Sequence, residues 1–437
     1  MKLAWLGLLI LGVSGVIEAG SQDSEFNVNN RYTVDSVLLN TDGAHMDLVA
    51  ARDERISSPL RKDILAIIGE KLNPATLDQL ARRLRKELHA RAVDHHILRG
   101  KNVDCVQVVF DVQVQPARFD IAVPKFGYQS SQGWSGAVEG TAIVKHQTFT
   151  IGLVSDGDEL VERYVGITAR YQNNRLGADW LHFNFDYGTL HDQWNSSTMD
   201  ALSAARLSGQ SFASSYASEL YRTRQYFEPV LSVRVAKPLT VSFGASFESF
   251  QDQFNGLNAP VPDGRVESAN AAIASIRYHQ PVEGAETQQD IDGGYDLRMG
   301  TKALRSDMVY SRHRWEFRYT LTRGKQMLIE DAMAGMIMGQ APLFERFVLG
   351  NSTTLRGWNK FEIDPFGGNR MVHNTVEYRY GMFQVFYDSG AVWDSGQTAD
   401  ARNAIGVGVR QGPFSASVGF PLREGHIDPI FMVGMTY

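Results

Sequence analysis

From about Ile121 to Tyr437 apolar and polar side chains exchange places at nearly every residue, a period of two that a helix cannot use and a strand requires. In Trp180-Leu181-His182-Phe183-Asn184-Phe185-Asp186-Tyr187, the residues Leu181, Phe183, Phe185 and Tyr187 share one side and His182, Asn184 and Asp186 the other. Leu239-Val241-Phe243-Ala245-Phe247, Trp315-Phe317-Tyr319-Leu321 and Phe414-Ala416-Val418-Phe420 repeat the pattern. A soluble sandwich also has one polar face, so alternation alone leaves the solvent open. Three further features select lipid. Aromatic residues collect at strand ends, the pattern runs on without a second fold, and the connectors alternate in length.

The spacing predicts an antiparallel transmembrane barrel of about sixteen strands, an even number as a single-chain bacterial barrel needs. Short links at Lys145-His146-Gln147, Gln172 to Arg175, Lys237-Pro238, Arg323-Gly324-Lys325 and Gly412-Pro413 fall on one rim. Long links, about His191 to Ala217, Gln251 to Ser268 and Ala341 to Asn369, fall on the other. The link near Pro281 to Gln288 is longer than its rim allows.

Bulk averages conceal such a protein. The chain has 437 residues, 43% of them hydrophobic, and a mean hydropathy of -0.24, because a barrel strand shows lipid only every second side chain. A formal net charge of -6 and a pI near 6.0 exclude the concentrated basic surface that nucleic acid demands. Lys2, the apolar run Leu3 to Ile10 continuing through Val13 and Val16, and the small residues Ala19, Gly20 and Ser21 form a signal-peptide layout over residues 1–19. Export to an oxidising compartment fits the single Cys105, which has no intrachain partner for a disulfide.

Before the barrel (residues 118–437) lies a mixed segment, residues 30–115. Tyr32 to Leu39 reads as a strand. Ser58-Pro59 starts a helix whose face is Leu60, Ile64, Ile67 and Ile68 and which stops at Gly69. Asn73-Pro74 starts a second, with Leu77, Leu80, Leu84 and Leu88 on one face and Arg82, Arg83, Arg85 and Lys86 solvated. Strands at Asp94 to Leu98 and Val103 to Val112 complete a β-α-α-β-β unit, helices on one face of a small sheet.

Alternation also orients the polar residues of the last third. In Phe383 to Trp393, Gln384 and Asp388 point into the lumen, as does Asp394 just beyond; in the preceding strand His373, Thr375, Glu377 and Arg379 do the same. Two carboxylates, Glu377 and Asp388, thus face one confined space from neighbouring strands, which is costly without a cation. Arg356, in the longest loop, supplies the planar fork that can take both.

These residues carry a family resemblance. Leu355-Arg356-Gly357-Trp358 resembles the VRGF/VRGY motif of a lumen-folded sixth loop, and Phe386-x-Asp388-x-Gly390 the inner-wall motif, of the BamA/TamA superfamily of outer-membrane assembly and secretion barrels. The segment 30–115 looks like a single POTRA domain, and Phe431, Val433, Met435 and Tyr437 resemble the terminal strand signal of that family. The resemblance implies a bacterial outer-membrane location with the small domain in the periplasm, and insertion or translocation of an unfolded or secreted client polypeptide. It also implies contact with outer-membrane lipid and a loop locked to the wall by Arg356, Glu377 and Asp388. Leu355 and Trp358 stand where the family commonly has Val and Phe or Tyr, and the chain has room for one POTRA domain where assembly proteins usually carry several. Two other readings compete: a passive pore or structural barrel without client, and a membrane-barrel hydrolase. For the last the chain lacks G-x-S-x-G and H-E-x-x-H, and His191-Asp192 in a long loop is the nearest approach to a catalytic pair. No catalytic residue, cofactor or metal is expected; His95-His96 reads as ordinary sheet residues.

Overall fold

The computed structural model describes residues 31–41, 44–47, 56–88, 90–113, 117–207, 220–252, 266–284, 287–425 and 427–436. The signal-peptide stretch 1–19 and Tyr437 lie outside them. The chain divides into two compact units, Met1–Pro116 and Ala117–Tyr437.

The first unit contains β1 (Thr33–Thr41), β2 (Ala44–Asp47), α1 (Ser58–Ala66), α2 (Pro74–Glu87), β3 (Ala92–Arg99) and β4 (Cys105–Gln113). Its sheet order is β2-β1-β4-β3, with β1 and β4 parallel. The strand β2 is absent from the sequence reading because four residues are too few to show a period; it exists by pairing with the end of β1. The cap of α1 is Ser57, not Ser58: its hydroxyl accepts from Leu60 N, while Pro59 occupies the first turn, where its missing N–H costs nothing. Gly69 adopts φ +88° and its N–H returns to Val34 O, which turns the chain out of the helix. Asn73 caps α2 by accepting from Ala75 N at 3.1 Å. Leu60, Ile64, Leu77, Leu80 and Leu84 pack against Val37, Leu39, Val108 and Phe110, each burial stabilising by roughly 1.5–3 kcal/mol.

The second unit is a closed 16-stranded antiparallel barrel, from a first strand Arg118–Gln129 to a sixteenth, Ile430–Thr436. The eighth strand comes in two pieces, Val266–Ser268 and Ala271–Glu283, both laid against the seventh, Leu239–Asp252. Side chains such as Trp315, Phe317, Phe383, Val385 and Tyr387 are exposed on the outer face; Glu377 and Asp388 are buried within. Short turns, among them 145–146, 237–238, 324–325, 381–382 and 412–413, share one rim, and the links 194–220 and 340–369 share the other. Two expectations need correcting. The link after the eighth strand shortens to 284–287, because Pro281 pairs with Asp290 inside the strand. Pairing with the seventh strand has ended at Tyr278 by then, so the proline sits at an edge that tolerates its missing N–H. His191 and Asp192 are not loop residues; both lie in the fifth strand, Leu181–Gln193, paired with Val165 and Tyr164.

Ring closure is uneven. Among the described residues the first and last strands share five residue pairs, Gln129↔Met432 to Lys125↔Thr436, against thirteen between the ninth (Gln288–Gly300) and tenth (Tyr310–Arg323) strands. A register shift between Ala122 and Lys125, spanning Pro124, breaks the first strand's ladder to the second as well. The long link 340–369 folds inward, burying Leu343, Phe344, Phe347, Leu349, Leu355 and Trp358 against wall residues including Tyr221, Phe250 and Met371.

Candidate functional site: a loop bound to the inner wall

Arg356 lies between the twelfth strand, Arg370–Tyr380, and the thirteenth, Phe383–Trp393. Its Nε and Nη2 donate to Asp388 Oδ2 and Oδ1 at 3.0 and 2.9 Å, its Nη1 to Glu377 Oε2 at 2.8 Å, and its backbone N–H to Asp388 Oδ2 at 2.7 Å. Thr375 Oγ1 adds a second bond to Asp388 Oδ1 at 2.9 Å and Arg379 Nε donates to Glu377 Oε1 at 2.5 Å, so every oxygen of the two carboxylates is engaged. Asp388 is 0% exposed. Burial alone would lower the pKa of Arg356; the hydrogen bonds and charge of Asp388, with those of Glu377, outweigh it and the pKa stands above the ordinary arginine value.

The neighbouring motif residues set this geometry. Phe386 places its ring under the guanidinium, 3.6 Å from centroid to Cζ. Gly357 takes φ +110°, and a Cβ there would stand 3.0 Å from the backbone of Gly419 and Phe420, so the loop lies directly on the wall. Leu355 is buried, and its N–H donates to His373 Nε2 at 3.0 Å. Trp358 Nε1 donates to Asn403 O at 2.8 Å. A Cβ on Gly390 would meet Val372 O and Leu349 Cδ1 at 2.9 Å. Of the terminal-strand residues, Phe431 and Val433 are exposed on the outer face and Met435 pairs with Phe126 across the seam.

Three further anchors escaped the sequence reading. Glu345 forms ion pairs with Arg298 at 3.1 Å and Arg312 at 3.4 Å, on the ninth and tenth strands. Arg346 Nη2 donates to Asp394 Oδ1 at 2.7 Å. Lys360, at the start of the short helix α3 (Lys360–Ile363), gives its ammonium to the carbonyls of Gly157 at 2.6 Å, Asp158 at 3.3 Å and Leu160. Alternation turns Asp394 into the lumen, where it needs a cation as Asp388 does, and Arg346 of the same loop meets that need. Lys360 binds backbone carbonyls, which leave no trace in composition. Beneath the loop a cavity of about 620 Å³ runs from Glu377, Arg379 and Arg410 to the seam residues Gln129 and Met432. Among the described residues no group of three or more His, Cys, Asp or Glu is placed to hold a metal ion.

The fold and the site together define a closed membrane barrel whose longest loop is bonded by Arg356 to its own inner wall. Residues 297–431, which include Arg356, Glu377 and Asp388, match the Omp85 superfamily domain. Outer membrane protein assembly factor BamA of Nitratidesulfovibrio vulgaris is 31% identical over 110 residues, a match that covers 20% of this chain and 14% of that protein's length. The crystal structure of BamA from Haemophilus ducreyi lacking POTRA domains 1-3 superposes with a TM-score of 0.56 at 15% identity, covering 93% of this chain and 85% of that one. CdiB from Acinetobacter baumannii gives 0.53 at 14%, covering 93% and 74%. Residues 297–431 thus carry the likeness to the Omp85 superfamily domain, and the chain has the closed-barrel fold of these structures, preceded by a small β/α domain.

Proposed function

We propose that this protein inserts polypeptides into the bacterial outer membrane or moves them across it, with the segment 30–115 acting as a POTRA-type domain in the periplasm. Arg356, Glu377 and Asp388 hold the long loop in the lumen and keep the wall in register; they make and break no covalent bond. Outer-membrane lipid surrounds the barrel, and the client is an unfolded or secreted polypeptide. The observation that carries this reading is the conjunction of the wall-bound loop with a seam of five residue pairs among the described residues. A short ladder is the cheapest place for the ring to part, since each pair lost forfeits few backbone bonds.

The test is a reversible lock. Cysteines at Gln129 and Met432, Cα partners across the seam, are oxidised in cells that depend on the protein. Loss of client assembly or export on oxidation, restored by reductant, supports the reading. Full activity with the seam crosslinked, or ion conductance in planar bilayers as the sole measurable activity, overturns it.

A further inference from the structure

We infer that the segment Trp358–Glu362 staples the seam at its long-loop end, with Lys360 as the positioning residue. The functional meaning of the staple rests on the seam-exit reading above; its existence as a contact does not.

The segment grips both flanks. On the last-strand flank, Trp358 Nε1 bonds Asn403 O, Glu362 takes Arg423 at 3.2 Å, and the preceding Gly357 lies on the backbone of Gly419 and Phe420. On the first-strand flank, Asn359 Oδ1 accepts from Gln132 Nε2 at 3.2 Å, and Lys360 binds the carbonyls of Gly157, Asp158 and Leu160. Gln132 lies in the link between the first and second strands, and residues 157–160 in the link between the third and fourth. That latter link is tied back to the first strand itself, by Lys125 to Glu159 at 2.9 Å and to Asp156, the last residue of the third strand, at 2.5 Å. The seam cannot part at this end while both grips hold.

Lys360 carries the stronger of them. It is 2% exposed, and its charge is met by three carbonyls of the 157–160 turn. The carboxylate of Asp158 is turned to Ser352, whose N–H it accepts at 2.9 Å, so the loop holds the same link at a second point. A contact of this kind resists separation through geometry, because moving the turn strands a buried ammonium.

The experiment is hydrogen–deuterium exchange on the full protein in lipid nanodiscs, comparing wild type with Lys360→Met, Gln132→Ala and Glu345→Gln. Lys360→Met should raise exchange at the seam amides 125–129 and 430–436 by at least about tenfold, and Gln132→Ala by about threefold. Exchange in the ladder between Tyr310–Arg323 and Gln326–Gly339 should stay at its wild-type rate in both. Glu345→Gln, which frees the loop from the ninth and tenth strands, should leave the seam unchanged. Unchanged seam exchange in Gln132→Ala, a surface change that leaves the loop's other anchors intact, overturns the staple even if Lys360→Met fails to assemble. So does a rise shared by all ladders, or one reproduced by Glu345→Gln. The measurement needs no client: a crosslinked seam that retains activity would sink the transport reading and leave the staple, whereas an unmoved exchange pattern would do the reverse.

Discussion

Phe386 occupies the space a side chain on Gly406 would need: a Cβ at residue 406 would stand 2.1 Å from the Phe386 Cζ. The ring therefore lies flat on the fourteenth strand, Arg402–Gln411, and presents its other face to the Arg356 guanidinium. Gly406→Ala should displace the ring and unseat the arginine, at a cost of about 1–3 kcal/mol. Thermal unfolding in detergent measures it, and a transition identical to wild type would mean that the ring does not support the loop.

Removing the cation from this site should cost more than crowding it. Arg356→Ala leaves Asp388 and Glu377 buried without their shared counter-charge, a loss of about 3–5 kcal/mol. Arg356→Lys should recover little of this, since one ammonium cannot span two carboxylates in the plane of the fork. The heat-induced mobility shift of the folded barrel reads both variants. Equal stability of Arg356→Lys and wild type would show that charge alone, without the fork, suffices.

Gly357→Ala places a methyl group against the backbone of Gly419 and Phe420 at a φ of +110° that alanine adopts poorly. The loop should lift from the wall while the strands persist, so limited proteolysis should cut within 340–369 in the variant and spare the wild type. Equal resistance of the two would refute direct contact of this turn with the wall.

Lys360 predicts a pH dependence. Burial pulls its pKa down to about 8 from 10.5, although Asp158, Glu162 and Asp156 favour the charged form; Arg163 adds to the fall. With the folded value below the unfolded one, the unfolded chain binds more protons between about pH 8 and 10.5, so this residue's contribution makes stability rise with pH across that window. The amine retains N–H donors for the carbonyls after losing its proton. Denaturation midpoints at pH 7.5 and 10 should therefore diverge more in wild type than in Lys360→Met, and parallel profiles would remove Lys360 as the titrating group.

The barrel was readable because its two solvents differ. Lipid outside and polar groups inside force Trp315, Phe317 and Tyr319 to alternate with Glu316 and Arg318, and the same rule turns Glu377 and Asp388 toward a single interior. What lacks a period left no such mark. Ala44–Asp47 is a strand only through its partner β1, and Glu345 and Lys360 sit in a single 3-10 turn and a four-residue helix, too short to show a period, where burial follows from tertiary contact alone. The choice of Ser57 over Ser58 as the cap of α1 also depends on backbone geometry that two adjacent serines cannot declare.

The inward link leaves the eleventh strand at Gly339 and rejoins the twelfth at Arg370, both on one rim. It enters the tube as a bight of rope does, doubled back on itself and never passed through to the far opening. Such a stopper can be drawn out the way it came, by undoing side-chain ties such as those of Arg356, Glu345 and Lys360, with every rung of the surrounding ladder left in place.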